Sequence, residues 1–213
     1  MLVKTKAIVI STLKFQEKSL IVKCFTQSHG LKSYFVRNAF SGKKNNQKIA
    51  YFQPLSILEI EAVHKNKGTL EHFKEIKTAI PFQTIHLDIV KSTMVLFLSE
   101  ILHHAIHEEE QNEDLFKYLE TALQWLDTHN ETSNFHLILM LEITKFLGFY
   151  PETSDQDLPF FEMNEGVFSL FQAISCLSEH ESFLLKKLID LRLDSDQKVF
   201  HFIDRQILLK ILI

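Results

Sequence analysis

The sequence predicts an α+β protein of two domains: a basic five-stranded β-barrel over residues 1–78, then an acidic all-α helical domain over residues 79–213. Charge balance and hydrophobic periodicity both change near Thr78, and turn chemistry divides the first segment at the spacing of short strands. The 213 residues carry a net charge of −4, which hides two opposed halves. The first 78 residues hold 13 lysines and Arg37 against five glutamates, whereas the remainder holds nine basic and 22 acidic residues. A basic segment suits a polyanion surface, although an ordinary solvated lysine-rich face has the same composition.

Within the basic half, apolar residues alternate with period two over residues 5–13, 19–26, 31–37, 52–63 and 70–77, all rich in Ile, Val, Phe and Tyr, which predicts five strands. Ser28-His29-Gly30 and Asn66-Lys67-Gly68 carry hairpin chemistry, and 41–48 reads as a long polar loop. So many strands in so short a segment suit a small closed barrel, which removes exposed edges. From Pro81 the period becomes that of a helix: Ile85, Ile89, Met94, Leu98, Leu102 and Ala105 trace the broad stripe of a central helix. Further helices are predicted over 114–125 and 134–147, the latter stopped by Gly148 with Pro151 just beyond. Residues 152–169 read as acidic and irregular. Ser178, with Glu181 three residues on, forms a capping box for a helix through Leu191, and Asp196 opens a last one through Ile213.

Composition excludes several classes. With 46% apolar residues and only five glycines and four prolines, the chain can bury a sizeable core and is neither collagen-like nor low-complexity. It has no uncharged apolar stretch long enough for a bilayer span, and its N-terminus lacks the apolar region of a secretory signal, so a cytoplasmic address is expected. Cys24 and Cys176 lie too far apart for a Cys-x-x-Cys site and read as small buried hydrophobes.

The strongest catalytic-looking cluster is Glu100, His103, His104, His107 and Glu108, with His103 and His107 spaced to share a helical face. A zincin places its glutamate next to the first histidine; here that neighbour is His104, and no third ligand is evident. Glu108-Glu109-Glu110 reads as a solvated helix end. A metal-dependent hydrolase is therefore the weaker alternative. Glycine-rich phosphate loops and nucleophile elbows are absent from the sequence, which favours a binding protein over an enzyme and implies no cofactor.

Positive signals lie in the barrel. Lys32, Arg37, Lys43, Lys44, Lys48, Lys65 and Lys67 are interleaved with Tyr34, Phe35, Phe40, Tyr51 and Phe52. Small barrels bind single strands with this combination, cations tracking phosphates while rings stack on bases. Alternation puts Tyr34 and Phe35 on opposite faces, so at most one faces inward. The polar-tipped Tyr34 and Tyr51 are the expected stacking residues.

In order along the basic half stand Ala7-Ile8-Val9-Ile10, Glu17-Lys18-Ser19, Phe25-Thr26 with Gly30, Arg37-Asn38-Ala39, Phe52-Gln53-Pro54-Leu55 and Gly68-Thr69-Leu70. In their order and spacing these segments resemble the RecO family of bacterial recombination mediators. The resemblance implies an N-terminal OB-fold barrel and a helical domain, single- and double-stranded DNA as ligands, strand annealing, and loading of RecA with RecR onto single strands coated by single-strand-binding protein (SSB). It also implies a nucleoid-associated location. Relatives usually have Lys-Gly-Ala where this chain has Arg37-Asn38-Ala39, a change asparagine tolerates because it accepts positive φ. Some relatives carry a four-cysteine zinc site in the helical domain; Cys176, alone there, cannot build one. Family members usually continue past the equivalent of Ile213, which implies a truncated C-terminal end. The remaining alternative is an interaction adaptor whose barrel binds protein.

The SSB tail of this family's partner is acidic and ends in an apolar residue with a free carboxylate, so it needs an apolar pocket beside a cation. Phe183, Lys186, Lys187 and Arg192 are the candidate site, on a helix that also carries Leu184, Leu188 and Leu191.

Overall fold

In the computed structural model, which describes residues 1–40, 49–65, 70–107, 111–195 and 199–213, the basic half is built from strands β1 (Leu2–Phe15), β2 (Ser19–Thr26), β3 (Gly30–Val36), β4 (Ile57–Val63) and β5 (His72–Ile80). They form one antiparallel sheet in the order β3-β2-β1-β4-β5. β4 starts later than periodicity suggests, because Ala50–Phe52 forms a 3-10 turn and Leu55 takes a left-handed conformation at φ 57° after Pro54. The sheet has two buried faces. Ala7, Val9, Val22, Tyr34 and Ile60 share a core on one, whereas Ile8 and Ile10 point to the other. Cys24 is buried in the first core.

The expected closed OB-fold barrel is not formed. β3 and β5 are the edges of an open sheet and, among the described residues, meet at a single parallel bridge between Tyr34 and Glu71. There the Phe35 N–H donates to the Glu71 carbonyl and the Glu71 N–H to the Ser33 carbonyl, both at 2.8 Å. Closure requires an edge-to-edge ladder whose shear matches the strand number and tilt. Neither alternation nor turn spacing encodes that match.

Helices α1 (Ile89–Ala105) and α2 (Glu113–Thr128) follow, and the first compact unit runs from Met1 to His129, past the change of periodicity. Phe25 of β2 meets Phe116 of α2 with ring centroids 6.0 Å apart, and Lys6 of β1 pairs with Glu120 at 2.7 Å. Burying each of those rings is worth about 2–3 kcal/mol. The segment entering α1 is tied to the end of α2 by Asp127, whose carboxylate accepts the N–H groups of Gln83, Thr84 and Ile85. Buried Lys91 donates to the Thr84 hydroxyl at 2.7 Å and to the Asp127 carbonyl at 3.1 Å.

The second unit, Asn130–Ile213, contains α3 (Phe135–Leu147), β6 (Phe160–Glu162), β7 (Val167–Ser169), α4 (Glu179–Asp190) and α5 (Phe202–Leu212). It is not all-α. The stretch that reads as irregular contains a β-hairpin, with Gly166 at φ 68° in its turn. Phe161 and Phe168 pair across it, and their rings stand edge to face at 5.0 Å in a core with Leu137, Leu141, Leu184 and Leu188. Gly148 ends α3 in the left-handed conformation, and the Ser178–Glu181 capping box opens α4. Residues 196–198 lie outside the described residues, so the expected start at Asp196 is not observed; α5 begins at Phe202. No helix among the described residues is long and apolar enough to cross a membrane.

Candidate nucleic-acid interface

Antiparallel pairing fixes where the cations meet. Because Leu20 stands opposite Val36, the β1–β2 turn lies beside the exit of β3. Gln16 at φ 54° and Asn38 at φ 55° make the two reversals, and the Phe40 N–H donates to the Lys18 carbonyl at 3.3 Å, joining them. Lys14, Lys18 and Arg37 are all exposed there. Phe15 stands edge-on to half-buried Phe35 at 6.0 Å, and the Lys14 ammonium lies 5.4 Å from the centre of the exposed Phe40 ring. Between the two reversals is an open recess of about 560 Å³ lined by Glu17, Lys18, Phe35, Arg37 and Asn38.

Arg37 is thus the sequence-predicted residue that belongs to this cluster. Lys43, Lys44, Lys48 and Lys67 lie outside the described residues. Lys32 is half-buried on β3, opposite Cys24, and Lys65 is exposed at the β4–β5 connection, its N–H donating to the Glu71 carboxylate at 2.8 Å. Tyr51 is half-buried against the sheet core. Tyr34 cannot serve as a stacking platform: it is fully buried, its ring stacks on Phe73 at 4.1 Å, and its hydroxyl is hydrogen-bonded to His64 Nε2 at 2.8 Å. Phe35, its neighbour, takes the more accessible side. Sequence reasoning missed Lys14 and Phe15 and did not assign Lys18 to the site; an exposed ring between lysines at a tight turn was the available signal.

His64 is itself buried and sits in a small cluster just past β4. Its ring stands edge to face with that of His29 at 5.0 Å, and its carbonyl accepts the N-terminal ammonium at 2.7 Å. Burial and then His29 push its pKa below the ordinary histidine value. The cluster supports β3 from inside.

Of the predicted histidine cluster, Glu108 lies outside the described residues, as do Glu109 and Glu110, and His103 and His104 of α1 engage other groups. Glu100 pairs with His104 at 3.0 Å, and His103 Nδ1 faces the Ser11 hydroxyl at 3.4 Å. Among the described residues, no three His, Cys, Asp or Glu side chains gather as a candidate metal site.

In the second unit, Lys186 donates to the Leu158 carbonyl at 2.5 Å, and Arg192 to the Ile189 carbonyl at 2.6 Å. Both cations therefore serve the local fold. Phe183 is 50% exposed, with the Lys187 ammonium 4.6 Å from its ring centre. Leu184, Leu188 and Leu191 are core residues. A separate, largely apolar recess of about 420 Å³ is lined by Leu141, Phe149, Tyr150, Met163, Ile211 and Leu212.

Comparison with known proteins assigns both halves to one class, the DNA repair and recombination proteins. Residues 1–82 match the family model described as recombination protein O N terminal, and residues 86–192 match recombination protein O C terminal. The chain is 74% identical over 213 residues to the DNA repair protein RecO of Flavobacterium johnsoniae, covering all of this chain and 90% of that one. It is 70% identical over 214 residues to RecO of Flavobacterium psychrophilum, again covering all of this chain and 90% of the relative. With RecO of Christiangramia forsetii the identity is 42% over 200 residues, covering 93% of this chain and 84% of the relative. The chain belongs to the RecO family. Membership places it among non-catalytic proteins of DNA repair and recombination.

Proposed function

We propose that the β1–β2 turn and the exit of β3 bind DNA, and that the chain anneals complementary strands and, with RecR, assists RecA loading on SSB-coated single strands. One observation carries this reading: Lys14, Lys18 and Arg37 converge with Phe15, Phe35 and Phe40 at one end of the sheet. Cations there neutralise phosphates and rings offer apolar faces to bases. Lys32, Lys43, Lys44, Lys48, Lys65 and Lys67 add further cations on the same half of the chain. Such a protein works in the cytoplasm, at the nucleoid.

Fluorescence anisotropy with a single-stranded oligonucleotide at two salt concentrations tests the reading. With about five phosphate contacts, the log-log slope is near −0.7 per contact. Reversing charge at Lys18, Arg37, Lys43 and Lys44 should weaken binding and make the slope shallower without unfolding the protein. Salt-insensitive binding, or unchanged affinity in the variant, would favour an adaptor that binds protein.

The SSB tail is assigned to α4 at Phe183 and Lys187, with Lys186 and Arg192 beside them. The exposed Phe183–Lys187 pair supports it, since an apolar residue with a free carboxylate needs a ring and a cation together. Lys187→Glu should abolish binding of the tail peptide in calorimetry while preserving oligonucleotide affinity. Retained peptide binding moves the site elsewhere.

A further inference from the structure

Two segments 18 positions apart in sequence, Glu17-Lys18-Ser19 and Arg37-Asn38, line a single recess. Its chemistry is not that of a plain phosphate surface. Glu17 places a carboxylate beside Lys18 and Arg37, and a phosphate at that point would meet like charge. Phe35 contributes an aromatic wall, and Phe15, 40% exposed, stands edge-on to its ring. Asn38 adds an amide that both donates and accepts. Cations and rings thus stand around a pocket whose polar groups suit a heterocycle.

We infer that this recess receives one unpaired nucleobase, and that it selects single strands over duplex and amino-bearing bases, cytosine above all, over thymine. The inference rests on the DNA-binding reading of the same end of the sheet. In a duplex the base faces are stacked and the Watson–Crick edges are engaged, so neither reaches a concave site. An unpaired base presents both. Its ring packs against Phe35 and Phe15, while flanking phosphates lie against Lys14, Lys18 and Arg37. Glu17 then accepts from an exocyclic amino group, as carboxylates do from cytosine N4, and thymine has no such donor. Asn38 holds the pocket open because its positive φ turns the chain away immediately after Arg37.

Anisotropy titrations with oligo(dC), oligo(dT) and a blunt duplex of equal length test this in the wild type, Glu17→Gln and Phe15→Ala. The wild type should bind single strands more tightly than duplex, and oligo(dC) more tightly than oligo(dT). Glu17→Gln should erase the dC preference, and Phe15→Ala should cost about fivefold or more on single strands with little change on duplex, as expected for loss of one stacked base. Equal binding of single strands and duplex, with neither variant selective, overturns the recess assignment and leaves DNA binding in place. A uniform gain of affinity in Glu17→Gln on every probe marks that residue as simple repulsion and also overturns it. Loss of all salt-dependent DNA binding in the wild type overturns the underlying reading instead.

Discussion

The Tyr34 hydroxyl lies 2.8 Å from His64 Nε2, inside the sheet, and both residues are buried. That bond satisfies the polar tip which would otherwise argue for an outward-facing tyrosine. It leaves Phe35 on the opposite face, toward Phe15 and the recess.

Tyr34→Phe should therefore lower stability by about 1–2 kcal/mol, the cost of leaving a buried partner unsatisfied. Oligonucleotide affinity should stay unchanged. Urea unfolding and anisotropy on the same preparation check both; weakened binding at full stability would place the ring in the interface after all.

Asp127 offers a sharper stability test. Burial raises its carboxyl pKa, but the N–H groups of Gln83, Thr84 and Ile85 and the Thr84 hydroxyl outweigh burial and hold it below the ordinary value. Asp127→Ala orphans those donors and should cost about 2–4 kcal/mol. Asp127→Asn should recover part of the loss, and a wild-type unfolding midpoint in Asp127→Ala would show that the latch contributes nothing.

His136 should make the protein acid-sensitive. Burial, and then the neighbouring Arg205, lower its pKa from 6.5 to about 4. Between those values the unfolded chain binds a proton that the folded chain refuses, so stability is full above pH 6.5 and declines as pH falls toward 4. His136→Gln should flatten the dependence of melting temperature on pH over that window. An unchanged slope would assign the effect to other groups.

Elemental analysis of the purified protein should find no stoichiometric zinc, and the His103→Ala, His107→Ala double variant should bind oligonucleotide as the wild type does. The engagement of Glu100 with His104 and of His103 with Ser11 motivates this. One zinc per chain, lost in the double variant, would reverse it.

Much of the local structure is legible in the residues. The strand bounds of Ser19–Thr26, the Gly148 stop and the Ser178–Glu181 box depend on interactions within a few positions, and local chemistry specifies those directly. The β6–β7 hairpin was also written locally, in Phe160-Phe161 and Gly166-Val167-Phe168, but the acidic residues around it masked strands of only three residues. Of the candidate interface, Arg37 was legible as a cation at a strand end. Lys14 and Phe15 were not, because they acquire meaning only beside Phe40 and Phe35.

The sequence by itself determined the basic and acidic halves, the change of period near Thr78 and the opposition of Tyr34 and Phe35 on β3, since each follows from composition or from the two-residue repeat of a strand. Tertiary structure alone decided which of that pair is inside, because the choice depends on Phe73 and His64 meeting Tyr34 from β5 and the end of β4. It decided likewise that the sheet stays open, with Tyr34 and Glu71, among the described residues, as a single bridge between its edges, and that Glu17 and Arg37 share a recess. Those outcomes rest on shear, register and side-chain volume summed across strands distant in the chain, and no local pattern carries that sum.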